Sequence, residues 1–205
     1  MKKQVLIGAI TSIVLGLLLL TSSLTSAQSS NEFTVPMSDP AKRGKLSARI
    51  NYGSITVKGT ARKDVLVKYS AAQDKEEKSG DTKDGLRRIG GGGMDLEVIK
   101  DNNVVRVSSD SWNNKLNLEI EVPSGMDMEV KTYNDGDLII SNIQGEVELT
   151  NYNGEITALN ISGSVVATTF NGGIKVTFNN VTADTPMSYS TYNRDTDTTL
   201  PATSN

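Results

Sequence analysis

Glycine recurs at every ninth position through much of the C-terminal half of the chain, and this spacing constrains the fold more than any other feature. The five glycines are Gly136, Gly145, Gly154, Gly163 and Gly172. The second and fourth residues after each glycine are always apolar: Leu138, Ile140, Val147, Leu149, Ile156, Ala158, Val165, Ala167, Ile174 and Val176. Apolar alternation over so few residues, bounded by glycine and asparagine, predicts one short half-buried strand and one corner per repeat.

A second period of 18 residues lies on top of the nine-residue one. The residue two before each of the last four glycines alternates between isoleucine, at Ile143 and Ile161, and an aromatic ring, at Tyr152 and Phe170. We therefore expect about 18 residues to form one coil of two short strands, with successive coils stacked and equivalent strands paired in parallel. The predicted fold is all-β, a parallel β-solenoid similar to a β-helix.

The same rule extends upstream with irregular spacing. Gly53 is followed two and four residues later by Ile55 and Val57. Further alternating runs, also expected to be strands, are found at 65–69, 96–99, 104–107 and 116–122. The connection at 70–93 mixes charges of both signs and ends in four glycines, as is typical of a solvated loop excursion.

The first residues carry the pattern of a secretory leader. Lys2 and Lys3 precede an apolar stretch at 5–20, which is followed by small polar residues ending at Ala27. This order predicts a signal peptide at 1–27. The apolar stretch is shorter than the roughly 20 residues that span a bilayer, so we expect no membrane span in the mature chain. The expected location is exported: the periplasm, the outer surface or the medium.

The predicted organisation has four parts. They are a signal peptide at 1–27, a linker or leader strand at 28–43, a β-solenoid domain at 44–200 that contains the excursion at 70–93, and a tail at 201–205. The repeat fails near its end, because Arg194 stands where Tyr192 and Asn193 lead us to expect a glycine. We expect a shortened C-terminus, whose open strand edges favour edge-to-edge self-association.

The composition argues against several kinds of chemistry. The chain has no histidine and no cysteine, which removes the commonest general base, the thiol nucleophile and the usual zinc ligands. Its formal net charge is −3, so it lacks the basic surface that nucleic-acid binding requires. We therefore expect no enzyme activity, no cofactor, no metal and no nucleic-acid partner.

Three segments resemble one known family. They are residues 51–57 (NYGSITV), 152–156 (YNGEI) and 170–174 (FNGGI). Together with the leader, they look like the bacterial putative-adhesin family, a domain of unknown function found in exported proteins, and the likeness covers roughly residues 44–200. The resemblance implies a right-handed β-solenoid or β-helical domain. It implies no catalytic residues.

Aromatic residues at structural spacing are the candidate ligand contacts. Tyr133, Tyr152 and Phe170 stand near the corners of the repeat, and Trp112 lies in a polar loop outside it. Two interpretations stay open for the series: a stacked face for sugar rings, or a ladder that holds the corners in register, which is the default for residues at structural spacing. Trp112 either stacks on a ligand or packs over the end of the solenoid.

The acidic residues that follow successive glycines are weaker candidates. Asp137, Glu146 and Glu155 suggest calcium, but their corners lack the glycine-rich sequence of calcium-binding nonapeptide repeats. A pair of carboxylates could also hydrolyse a glycosidic bond, but the spacing singles out no such pair. We therefore expect neither a metal site nor a catalytic site here.

Taken together, these patterns favour a non-catalytic interaction module at the cell surface or in the periplasm. Such an adhesin would bind a glycan or an envelope protein through a flat β surface. One alternative is a structural periplasmic protein linked to envelope stress. A second alternative is a small carbohydrate-active enzyme built on a β-helix.

Overall fold

The structure, a computed structural model, describes residues 31–71, 86–89, 96–182 and 185–202. These residues form fifteen β-strands. They are β1 (Glu32–Pro36), β2 (Lys45–Tyr52), β3 (Ile55–Thr60), β4 (Asp64–Ala71), β5 (Leu86–Ile89), β6 (Leu96–Asp101), β7 (Val104–Ser109), β8 (Leu116–Pro123), β9 (Asp127–Asn134), β10 (Leu138–Ser141), β11 (Glu146–Asn151), β12 (Ile156–Thr168), β13 (Ile174–Val181), β14 (Ser188–Ser190) and β15 (Thr196–Thr199). The predicted signal peptide and most of the predicted excursion at 70–93 lie outside the described residues.

The strands form one continuous sheet that folds over a single core. Its path runs β1-β4-β8-β3-β10-β12-β11-β9-β2-β7-β6-β5. The bend is in β12, because residues 156–159 pair with β10 and residues 164–168 pair with β11. We call the β10 side, which β13 and β15 continue, the first half-sheet, and the β11 side, which β14 continues, the second half-sheet. Buried side chains from both half-sheets belong to one hydrophobic cluster.

The sheet is mixed, and this overturns the predicted regular right-handed parallel β-solenoid with two short strands per 18-residue coil. Strand β4 pairs antiparallel with β1 and β8, and β6 pairs antiparallel with β5 and β7. Strand β12 has 13 residues and takes part in both half-sheets. The described chain is therefore a nearly closed mixed sheet. The all-β class is confirmed.

Tight turns explain part of the antiparallel pairing. Asn102 has a left-handed φ of 54° between β6 and β7, and the chain reverses there within two residues. Strands joined by a two-residue turn pair antiparallel, whereas parallel neighbours need a longer crossover. The runs at 96–99 and 104–107 are strands as predicted, but their hairpin does not follow the repeat.

Parallel ladders do join the strands of the glycine repeat. Leu138 pairs with Ile156, which pairs in turn with Ile174, and Val147 pairs with Val165. All ten apolar residues that follow the five glycines are buried, so the predicted inward face is confirmed. The reason is that alternate residues of a strand point to opposite faces, and only one face here meets the core.

Close backbone approach explains the glycines at one corner. A Cβ on Gly154 would collide with the carbonyl oxygen of Gly136, and a Cβ on Gly172 would collide with the carbonyl oxygen of Gly154. At the opposite corner, Asn142 and Asn160 have left-handed φ values of 59° and 57°. Asparagine tolerates this conformation better than most residues do. Successive corners therefore lie backbone against backbone.

Candidate functional site

Five exposed aromatic side chains follow one edge of the second half-sheet, and we call them the aromatic row. They are Trp112, Tyr133, Tyr152, Phe170 and Tyr192, with exposed fractions of 59, 38, 51, 39 and 77%. Each stands at or just after the end of a strand: β7, β9, β11, β12 and β14. The strands of this half-sheet are neighbours in the order β7-β2-β9-β11-β12-β14, so the rings follow the same order.

Three rings of the row form a parallel stack. The ring centroids of Tyr152 and Phe170 are 5.2 Å apart with an interplanar angle of 5°, and those of Phe170 and Tyr192 are 5.0 Å apart with an angle of 2°. These separations are close to the spacing of about 4.8 Å between neighbouring strands. Both faces of Phe170 are therefore covered by its neighbours, whereas the end ring of Tyr192 has one stacking neighbour among the described residues and is 77% exposed.

The other two rings are arranged differently. Trp112 and Tyr133 have ring centroids 6.2 Å apart and an interplanar angle of 46°, so the two rings are tilted rather than stacked. We call this pair the Trp112 platform. The exposure of Trp112 leaves indole surface open to solvent. The platform therefore leaves open the kind of aromatic surface that is covered at Phe170, in the middle of the stack.

Two ion pairs involve residues that lie two or three positions from Trp112 or Tyr133 in the chain. Arg49 Nη2 lies 2.6 Å from Asp110 Oδ1, and Lys115 Nζ lies 3.0 Å from Asp135 Oδ2. Lys115 Nζ also lies 5.8 Å from the ring centroid of Tyr52, within cation–π range. An open aromatic face with donors and acceptors at its rim is the usual composition of a site for a polar ligand with an apolar side.

A ladder of asparagine side chains runs beside the stacked rings. Asn153 Nδ2 donates to Asn134 Oδ1 at 3.1 Å, and Asn171 Nδ2 donates to Asn153 Oδ1 at 2.7 Å. Asn193 Nδ2 continues the series by donating to Asn171 Oδ1. Asn153 and Asn171 thus use both their donor and their acceptor within the ladder, which fixes the spacing of the corners.

Polar side chains just inside the row tie each corner to the one before it. Thr132 Oγ1 donates to the Gly53 carbonyl at 2.9 Å, Asn151 Nδ2 to the Gly136 carbonyl at 2.9 Å, and Thr169 Oγ1 to the Gly154 carbonyl at 3.0 Å. Thr132, Asn151 and Thr169 are buried. A buried polar group is stable only when it is hydrogen-bonded, so these bonds hold the rings in place from beneath.

The acidic candidates have structural contacts. Asp137 Oδ1 accepts a hydrogen bond from the backbone N–H of Glu155 at 2.9 Å, and the backbone N–H of Glu146 donates to Asp127 Oδ1 at the same distance. Asp137, Glu146 and Glu155 are all exposed. In the part of the chain that the structure describes, no group of three or more carboxylates could hold a metal ion.

The strongest electrostatic effect lies on the outer face of β9. Hydrogen bonds from Lys45, at 2.7 Å, and Lys131, at 2.9 Å, lower the pKa of Glu129 to about 2. The carboxylate raises the pKa of Lys131 in turn. Lysine pairing accounts for this shift, so the cluster ties strands β2 and β9 together and needs no catalytic explanation.

A cavity of about 350 Å³ lies between the segment 37–44 and the turns that follow β3 and β8. Three cations line it, and each is paired with a carboxylate: Lys42 with Asp39 at 3.2 Å, Arg43 with Asp127 at 2.8 Å and Arg62 with Asp64 at 2.8 Å. The protein itself therefore compensates the positive charge in this cavity.

The four predicted ligand contacts fall into two groups. Trp112 and Tyr133 form the platform, while Tyr152 and Phe170 belong to the stack with Tyr192. The repeat indicates the stack, because its rings recur at the aromatic corners. No spacing relates Trp112 to Tyr133, so sequence reasoning missed their pairing and the ion pairs around them.

Comparisons with known proteins add two weak structural likenesses. No protein-family model matches the chain, and no curated protein matches it. The chain is similar to a putative cell adhesion protein from Clostridium sporogenes, at 11% identity and a TM-score of 0.37 over 83% of this chain and 97% of that one. It is also similar to a putative adhesin from Bacteroides fragilis, at 11% identity and a TM-score of 0.28 over 82% of this chain and 95% of that one.

TM-scores this low carry no argument about fold or function. The resemblance of the sequence to the putative-adhesin family therefore stays a prediction. Among the described residues, no helix has the length and apolar character needed to cross a membrane.

Proposed function

We propose that this protein is a non-catalytic, exported interaction module, in the periplasm or at the cell surface, that binds a glycan through the Trp112 platform. The observation that supports this most directly is the 59% exposure of Trp112 beside the tilted ring of Tyr133. Trp112 lies in the loop between β7 and β8 and forms an exposed aromatic patch with Tyr133, and exposed apolar patches mark interaction sites.

The chemistry of the platform suits a sugar. One face of a pyranose ring is lined by C–H groups and packs against an aromatic face, while its hydroxyls need hydrogen-bond partners at the rim. Asp110, Asp135 and Lys115 supply acceptors and a donor there. The platform therefore combines both kinds of contact within one corner of the sheet.

We assign a different role to the stacked rings. Phe170 has a neighbour on each face at about the strand spacing, so a sugar cannot stack on it without separating the corners. Each asparagine of the ladder directly follows an aromatic residue of the row, so the ladder and the stack have the same spacing along the chain. Tyr152 and Phe170 are thus proposed to hold the corners in register, and Trp112 and Tyr133 to contact the ligand.

The single tryptophan makes the proposal directly testable. Trp112 is the one tryptophan of the chain, so its fluorescence reports on the platform alone. Titration with oligosaccharides from bacterial envelope polysaccharides should change the emission of the wild type and saturate. Binding measured by calorimetry should be lost in Trp112→Ala and retained in Phe170→Leu, which alters the stack only.

The other outcomes separate the alternatives. Saturable binding of an envelope protein with no glycan affinity would favour a protein-binding adhesin or a structural envelope protein. Release of shortened sugar products would favour the carbohydrate-active enzyme. Equal loss of glycan binding in Trp112→Ala and Phe170→Leu would overturn the division between platform and stack.

A further inference from the structure

Both asparagine–glycine pairs of the chain lie at corners of the second half-sheet. They are Asn153-Gly154, after β11, and Asn171-Gly172, after β12. An asparagine followed by glycine is prone to spontaneous deamidation, because glycine has no side chain to hinder the reaction and its backbone is the most easily rearranged. Asn153 and Asn171 are also the ladder residues that bond to a neighbour on each side. Two chemically labile amides therefore stand in the middle of the ladder.

The reaction consumes the backbone N–H of the glycine. The Gly154 nitrogen loses its proton to base and attacks Cγ of Asn153. The new N–Cγ bond closes a cyclic succinimide, the Cγ–Nδ2 bond breaks, and the leaving nitrogen takes up protons from water and departs as ammonia. Water then opens the ring to aspartate or isoaspartate. The same steps apply to Gly172 and Asn171.

The folded corners hold the attacking nitrogen in place. The Gly154 N–H donates to Oδ1 of Asn151 at 3.1 Å, and the Gly172 N–H donates to Oγ1 of Thr169 at 3.3 Å. Both glycines are buried, and so are Asn151 and Thr169. A buried, hydrogen-bonded N–H meets base from the solvent only when the corner opens, which is the condition that also governs hydrogen exchange.

The ladder holds the amide that would be attacked. Nδ2 of Asn153 donates to the Tyr133 carbonyl at 3.4 Å and to Oδ1 of Asn134 at 3.1 Å. Both bonds must break before this nitrogen can leave as ammonia. They also connect Asn153 to the corner that carries Tyr133, one of the two rings of the Trp112 platform.

We propose that Asn153 and Asn171 are deamidation sites that the folded corners protect, and that Asn151 is the residue that protects Asn153. Deamidation at Asn153 leaves a carboxylate, which has no N–H to donate. Its oxygens then face the Tyr133 carbonyl and Oδ1 of Asn134, and acceptors that face one another without a proton between them are unfavourable. The modification therefore loosens the corner that carries Tyr133.

Mass spectrometry of proteolytic peptides follows the two sites separately. The protein is incubated at one mildly alkaline pH, either native or unfolded in guanidinium chloride. Because the reaction requires the corner to open, we expect Asn153 and Asn171 to deamidate at least about tenfold more slowly in the native protein. Equal rates in the two states would overturn the proposed protection.

Two substitutions of Asn151 test its role. Asn151→Ala removes the acceptor for the Gly154 N–H and should raise the rate at Asn153 roughly tenfold in the native protein. Asn151→Thr should keep the rate near that of the wild type, because a threonine hydroxyl, that of Thr169, accepts the glycine N–H at the next corner.

Asn171 is the internal control in both variants. None of its ladder bonds involves Asn151, so its rate should stay at the wild-type value. An equal rise at Asn153 and Asn171 in Asn151→Ala would assign the protection to the stability of the whole fold and overturn the role of Asn151. A rate at Asn153 that does not change in Asn151→Ala would overturn it as well.

Trp112 fluorescence tests the consequence of the modification. Asn153→Asp reproduces the aspartate product. Asn171→Asp is the matched control, because Nδ2 of Asn171 donates to Asn153 and not to the Tyr133 corner. The emission of the one tryptophan of the chain should shift in Asn153→Asp and change little in the control.

Equal shifts in the two aspartate variants, or none in either, would overturn the link between Asn153 and Tyr133. Neither the emission of the free protein nor the deamidation rates require a glycan. A failure of the proposed protection is therefore distinguishable from a failure of the proposed function.

Discussion

The ring of Phe170 lies parallel to that of Tyr152, at an angle of 5° and a centroid separation of 5.2 Å. The two residues are 18 apart in the chain and end neighbouring passages through the second half-sheet. The separation of the rings therefore matches the spacing of neighbouring corners. Stacking of these rings explains why aromatic residues alternate with isoleucine in the repeat.

Removing the middle ring should destabilise the fold more than removing the end ring. Phe170→Ala loses contacts with both Tyr152 and Tyr192, whereas Tyr192→Ala loses one contact from a side chain that is mostly in water. We expect a loss of about 1–3 kcal/mol for Phe170→Ala and less than about 1 kcal/mol for Tyr192→Ala. Urea unfolding measures both, and equal losses would contradict a stack that stabilises the corners.

A second prediction concerns the inward face of β12. Val165 is fully buried, so Val165→Asp would place an unpaired carboxylate in the core and should cost about 4 kcal/mol or more. The adjacent Val166 is only half-buried and points the other way, so Val166→Asp should cost much less. Circular dichroism melts compare the two. A cooperative transition of Val165→Asp at the wild-type temperature would refute the inward assignment.

The third prediction tests the close approach of backbones at the glycine corner. Gly154→Ala would push a Cβ into the Gly136 carbonyl oxygen. That oxygen is a backbone atom, and the position of the Cβ is fixed by its own backbone, so the corners must separate. We expect a loss of about 1–3 kcal/mol in the free energy of unfolding. Gly125→Ala is the matched control, since its added Cβ would meet no atom within 4 Å, and it should be nearly neutral.

The fourth prediction concerns pH. Lys45 and Lys131 lower the pKa of Glu129 to about 2 from its ordinary 4.5, so the carboxylate contributes stability above pH 4.5 that is lost as the pH falls towards 2. Glu129→Gln should therefore reduce stability at pH 7, by about 1 kcal/mol for a partly exposed cluster, and should have little effect near pH 2.

Chemical denaturation at pH values from 7 to 2 measures the difference in the free energy of unfolding between Glu129→Gln and the wild type. Glu148→Gln is a suitable control, because Glu148 is 3.7 Å from Lys131 and more exposed. A difference for Glu129→Gln that stays constant from pH 7 to pH 2 would exclude the carboxylate charge as its cause.

Local pattern was a good guide to the strands and a poor guide to their pairing. Val147 and Leu149 are buried as predicted, because alternation along a strand depends only on the strand itself. The direction of β4 and β6 relative to their neighbours depends on hydrogen bonds to segments distant in the chain. Alternation is the same for a parallel and an antiparallel strand, so the regular parallel solenoid was the wrong extrapolation.

The contacts of the candidate site also divide into those that the sequence predicts and those that depend on strand pairing. The stacked rings of Tyr152 and Phe170 follow from their 18-residue spacing. Trp112 follows β7, and Tyr133 lies near the end of β9. The two rings meet because β2 pairs with both of these strands and places their ends at the same edge of the half-sheet. Trp112 lies in a loop outside the repeat, so the periodicity does not relate it to Tyr133.

The sequence by itself determined the all-β class, the inward residues and the corners, because side-chain alternation and the backbone freedom of glycine and asparagine act over a few residues. Only the tertiary structure decided that β12 bends into both half-sheets, that four ladders run antiparallel and that Trp112 stands open beside Tyr133. These features depend on which distant strands form hydrogen bonds with each other around the common core. A local sequence pattern does not specify that pairing.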